Sequence, residues 1–175
     1  MSSGEFVTRL TVWIVLAGYI IGIAVLAFSR KRPKWESAAR LIWTVACVSL
    51  LAHVASAFHF YHGWSQESAY RETARQTAEV TGINWGGGLY INYAVILFWV
   101  IDVTTWWRRG LDAYHRRPRL LVVLWKAFLI FIIFNATVVF KTGPLRWVGV
   151  CISLALACLW LYSWRKQETA RIELE

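Results

Sequence analysis

Leu10-Thr-Val-Trp-Ile-Val-Leu-Ala-Gly-Tyr-Ile-Ile-Gly-Ile-Ala-Val-Leu-Ala-Phe28 is nineteen residues without a charge. A run of that length crosses a hydrocarbon core ~30 Å thick as one helix. Four more apolar runs follow in the 175 residues, and the reading of the first therefore fixes the class of the whole chain. Only 17% of residues are charged while 58% are apolar, and a soluble domain carries about 25% charged residues. The apolar residues also gather into continuous runs, without the alternation of soluble helices and strands. The sequence predicts an all-α membrane protein, a single polytopic domain over residues 1–175.

The spans are expected at 6–28, 38–61, 89–107, 120–140 and 147–164. Gly18 and Gly22, four apart, share one face of the first, where a neighbouring backbone can approach closely. Gly149, Ser153 and Ala157 repeat that spacing in the fifth. Pro33 falls in the basic loop after span one, and Pro118 and Pro144 stand just before spans four and five. There a missing N–H has no consequence.

Charge sets the orientation. Residues 30–40, 108–119 and the tail after Trp164 hold thirteen of the nineteen Lys and Arg side chains. The N-terminus, the 62–85 connection and the 141–146 turn hold five, and Lys126 is intramembrane. Basic loops stay inside, so the N-terminus is expected outside and the C-terminus inside, in a bacterial-type cytoplasmic membrane. Trp35, Trp106, Trp107 and Trp164 then line the inner interface and Trp64, Trp85 and Trp147 the outer one. The net charge of +9 is accounted for by basic ends facing anionic lipid, and no nucleic-acid partner is expected. Cys47, Cys151 and Cys158 fall within apolar runs without CxxC or Cys/His spacing, which reads as small buried apolar residues.

The longest connection, 62–86, is expected outside as a lid over the bundle mouth. Ser65 is placed to cap a helix over 66–81 and Gly82 to end it. Glu67/Arg71 and Arg75/Glu79 are four apart and pair across a turn. Gly86-Gly87-Gly88 follows. Such a triplet suits positive φ, or the close approach of a ligand or backbone; a flexible return from the lid is the expectation.

Chemistry-bearing side chains concentrate around this connection. His53 lies inside span two, on one face with Ser49 and Ser56, and an ionisable group at that depth is a functional candidate. His59 and His62 are three apart, and imidazole is the commonest metal ligand at neutral pH. All three histidines meet at one ion only if the helix breaks near Ala57 or Gly63. Tyr90, Asn92 and Tyr93 begin span three at the depth of His59. His53 with Tyr90, Asn92 and Tyr93 is thus the expected cofactor-binding group, and His59 with His62 the metal pair. A transition metal or a haem held by one histidine is the cofactor implied, with redox chemistry at the outer face.

Asp102 on span three and Lys126 on span four are expected to form an intramembrane ion pair. Asn135-Ala-Thr137 matches a glycosylation sequon but lies within span four, and His115 sits in a basic inner loop. Two other readings stay open. One is an oligomeric channel or transporter for a proton or small solute, with His53 and Asp102/Lys126 as stations. The other is an accessory subunit docking on a membrane-protein partner or a second copy through the small-residue faces. The sequence holds no nucleophile with a base, no paired catalytic carboxylates and no nucleotide fingerprint.

Overall fold

The computed structural model describes residues 2–28, 33–139, 146–147 and 149–158. Among these it is all-helical. In chain order the elements are α1 (Ser3–Phe28), α2 (Pro33–Ala57), a π-helical turn π1 (Phe58–His62), α3 (Gln66–Thr81), α4 (Gly88–His115), α5 (Arg119–Phe134) and a second π-helical turn π2 (Asn135–Val139). A further helix, α6, covers Gly149–Cys158. Four helices are long and apolar enough to cross a membrane: Ser3–Leu26, Lys34–His62, Gly88–Gly110 and Leu120–Val139. The expected fifth span, 147–164, is described only as far as residue 158, and its remainder lies outside the described residues.

Three boundaries depart from expectation for local reasons. Pro33 opens α2 instead of lying in the preceding loop; its fixed φ and missing N–H suit the first helical position. α4 continues to His115, but Gly110 interrupts it with φ 71° and ψ −177°, a conformation cheap for glycine alone. At the C-terminal end of α2 the backbone widens into π1 and stops at Gly63, which takes a left-handed φ of 53°.

The chain divides into two compact units, Met1–Arg116 and Arg117–Glu175. In the first, α1 and α2 meet along a seam of small residues. A Cβ on Gly18 would stand 2.8 Å from the Ala46 Cβ, and one on Gly22 would stand 3.2 Å from the Trp43 ring. Between lipid-embedded helices water supplies no driving force, so close backbone approach and hydrogen bonds do the holding. Tyr19, Trp43 and Trp99 fill the space that α4 closes, with ring centroids 4.9–6.2 Å apart, and all three are buried. Nearer the N-terminal end of α2, Arg40 lies 4.1 Å over the Trp107 ring, and the Trp107 indole N–H donates to Thr44 Oγ1 at 2.9 Å.

In the second unit Leu129, Ile133, Val138, Ser153 and Leu156 are buried. A Cβ on Gly149 would lie 2.6 Å from Thr137 of π2. Both small-residue stripes therefore face neighbours of their own unit. At Gly18 a larger side chain cannot fit without separating α1 from α2. Gly18→Leu is expected to destabilise the detergent-solubilised protein by about 1–3 kcal/mol, read as a lowered unfolding midpoint, whereas a leucine at exposed Val48 should leave it unchanged.

Candidate functional site

His53 is half-buried and turned toward α1. Its Nδ1 lies 3.0 Å from the Thr8 carbonyl oxygen and 3.3 Å from Thr11 Oγ1. A carbonyl only accepts, so Nδ1 carries the proton. The Thr11 hydroxyl donates to the carbonyl of Val7 at 2.8 Å or of Thr8 at 3.0 Å, which leaves its oxygen able to accept from the same ring. The tautomer follows: His53 holds N–H at Nδ1 and keeps the Nε2 lone pair for another partner.

The connection between α2 and α4 is built differently. The wide turn π1 ends in two consecutive left-handed residues, Gly63 and Trp64, the latter at φ 62°. Ser65 Oγ then accepts from Ser68 N–H at 3.2 Å to start α3, and Gly82 at φ 77° closes it by donating to the Ala78 carbonyl. The cap and stop residues act as the sequence predicts. Buried Ala69 and Ala74 let α3 lie close to the bundle. Tyr93 on α4 donates to Gln66 Oε1 at 2.6 Å.

The glycine triplet is a docking surface and not the flexible return that was expected. A Cβ on Gly86 would sit 2.5 Å from the Tyr70 carbonyl oxygen, and one on Gly88 would sit 3.3 Å from Thr73. None of the three takes a positive φ. Gly86 and Gly88 permit the close approach of α3, by the Tyr70 backbone and the Thr73 side chain, and Gly87 makes room for the Trp85 indole.

The remaining histidines have separate neighbours. His59 is exposed, beside the rings of Phe60 and Trp64. His62 is half-buried, edge-on to Phe58, with Nδ1 3.4 Å from Ser68 Oγ. Tyr93 stacks toward Phe58, and Tyr90 lies between Tyr70 and Tyr93, while Asn92 is exposed on α4. The helix thus does change form at Ala57 and Gly63, yet His53 turns to α1 and His62 to α3. Among the described residues no group of three or more His, Cys, Asp or Glu side chains is placed to hold a metal ion.

Asp102 is 7% exposed, and its Oδ2 accepts from Trp43 Nε1 at 2.8 Å. The sequence displays Asp102 and Lys126 as charges, and the indole that meets Asp102 carries none. Gly22 gave a signal, since a glycine on a packing face implies a large side chain opposite. Lys126 belongs to α5, in the second unit. Asn135, in π2, donates from its amide to the Phe131 carbonyl.

On α3 the expected pairs Glu67/Arg71 and Arg75/Glu79 form, and a third was not foreseen. Arg75 grips Glu72 through Nε at 2.9 Å and Nη2 at 2.6 Å, while Gln76 adds a bond of 2.8 Å. The hydrogen bond from Arg75, then that from Gln76, pulls the Glu72 carboxyl from its ordinary 4.5 down to about 2. A carboxylate held below its unfolded value stabilises above that value, and the contribution fades as pH falls through the folded one. Comparison of the chain with protein-family models, with curated proteins and with solved structures found no match.

Two outcomes follow for α3. Amide protection along 66–81, taken relative to the intrinsic exchange rate at each pH, should fall as pH drops from 4.5 toward 2, and Glu72→Gln should flatten that response, by a modest amount because the pair is exposed. Gly86→Ala drives a methyl group into the Tyr70 backbone, so exchange of α3 and of 86–90 should rise together at neutral pH while α1 and α2 keep their protection.

Proposed function

We propose that the chain is a multi-pass integral membrane protein with five spans, N-terminus outside and C-terminus inside, that presents His53 as the single protein ligand of a haem-like redox cofactor. The observation that carries this reading is the Nδ1–Thr8 carbonyl bond. A ring nitrogen anchored on a backbone carbonyl fixes the imidazole and raises the basicity of the opposite nitrogen, the arrangement metal-ligating histidines use. One histidine does not complete the sphere of a bare ion, and among the described residues it belongs to no group of three or more His, Cys, Asp or Glu side chains placed to hold one. A macrocycle brings its own equatorial donors and asks the protein for one axial imidazole. In this reading Tyr90, Asn92 and Tyr93 form the polar outer rim, and π1 with His59 and His62 faces the headgroup layer.

A spectrum and metal analysis of the purified protein test it. The expected result is a Soret band with about one iron per chain, lost in His53→Ala and kept in His62→Ala. Absence of both band and stoichiometric metal from the wild-type protein overturns the proposal.

A second reading, passage of protons or a small solute, is favoured by a different observation: a carboxyl group buried in an aromatic core, with an indole N–H as its donor. Ionisable groups at such depth mark ion pathways. Flux into proteoliposomes should then fall in Asp102→Asn, whereas equal flux in the two proteins removes the reading.

A further inference from the structure

We propose that α3 is a strap fixed to the outer lipid surface at both of its ends, with Tyr61 and Trp64 as one foot and Ile83 and Trp85 as the other. The partner is the boundary between headgroups and acyl chains, and the inference rests on the membrane-spanning reading. Trp64 and Ile83 are each 64% exposed, Tyr61 55% and Trp85 52%. Large apolar groups turned outward in clusters mark a contact surface, and tyrosine and tryptophan favour headgroup depth. Between the feet the exposed side chains of α3 from Gln66 to Glu79 are ionic or amide (Gln66, Glu67, Arg71, Arg75, Gln76 and Glu79), and the exposed Val80 and Thr81 adjoin the second foot. Apolar ends with a charged middle match a segment lying along a membrane surface, not one projecting into water.

Both feet adjoin helices of membrane-spanning length. One such helix ends at His62 and the next begins at Gly88. Trp64 is two residues beyond the first and Trp85 three before the second, within ~10 Å at ~3.3 Å per residue. The rings are also held in place. The Trp85 indole covers Gly87 so closely that a Cβ there would fall 1.9 Å from it. Trp85 N–H donates to the Ile83 carbonyl at 3.0 Å, and Ile83 N–H donates to Thr81 Oγ1 at 3.2 Å. Trp64 keeps a left-handed backbone uncommon outside glycine, which turns its indole outward from the last turn of π1.

Spin labels decide between lipid and water. Single cysteines at Tyr61, Ile83, Arg71 and Leu97 are introduced with Cys47, Cys151 and Cys158 replaced by alanine. Each protein is placed in phospholipid nanodiscs, and collision rates with oxygen and with a water-soluble nickel chelate are measured. Leu97, 59% exposed on α4, reports the hydrocarbon, and Arg71 reports water. The ratio of oxygen to nickel collisions at Tyr61 and Ile83 should exceed that at Arg71 several-fold and approach that at Leu97. Should Ile83→Cys fail to fold, Val80→Cys, 46% exposed, takes its place. Ratios at the feet equal to that at Arg71, with Leu97 still oxygen-dominated, overturn the strap and leave the spans standing. A nickel-dominated Leu97 overturns the membrane-spanning reading, and the strap with it.

Discussion

The first unit depends on the absence of two side chains. At Gly18 and Gly22, α1 has nothing to hold α2 away, and the Ala46 methyl and the Trp43 ring come directly against its backbone. In oil, two leucine-covered helices gain little by touching, because acyl chains solvate them equally well; shape and hydrogen bonds must supply the preference. The close seam sets the position of Trp43, which can then lie between Tyr19 and Trp99 with its N–H aimed at Asp102. The acid on α4 is in turn directed: slid by one residue, it would face acyl chains, where a charge is costly. Glycines on one helix thus help fix the register of another that they do not touch.

α3 is organised on the opposite principle. It has little apolar face, and its ion pairs run within the helix: Arg71 to Glu67, Arg75 to both Glu72 and Glu79. A helix of sixteen residues is marginal alone in water, and pairs three and four apart with proper caps help it persist. What seats it is small-residue contact again, Ala69 and Ala74 below and the Gly86–Gly88 backbone alongside. The same device serves inside and outside the proposed bilayer.

The features legible in the sequence are those that one residue's chemistry decides locally. Ser65 and Gly82 mark the ends of α3 because a hydroxyl acceptor and a left-handed φ are needed there whatever surrounds them. The apolar runs announce helices of spanning length for the same reason. Features that need two elements at once were not legible. A helical wheel assumes a constant turn, so π1 is invisible to it, and with π1 the directions in which His59 and His62 point. A sequence displays charges plainly, so the expected partner of Asp102 was a cation. An indole fifty-nine positions earlier carries no such flag until α1 and α2 are seen to close. The glycine triplet shows the ambiguity from the other side: its composition permits turn, ligand or helix contact equally, and only the seating of α3 selects among them.

Depth separates what the sequence had grouped together. The helix Lys34–His62 has 29 residues, about 43 Å at ~1.5 Å per residue. That exceeds a hydrocarbon core of ~30 Å and matches the full bilayer with its headgroups. If both ends of this helix reach the headgroup layers, π1 and its two imidazoles belong in one of them, where water satisfies them at little cost. His53 stands nine residues deeper, about 13 Å along the axis. There water is scarce, and the ring takes its hydrogen-bond partner from the first turns of α1. A neutral imidazole with one nitrogen fixed and the other bearing a lone pair is poised for a partner only where water does not already fill that role. Along this helix the histidine that meets α1 is therefore the one farther from its end, and the two nearer the end meet side chains of π1 and α3 instead.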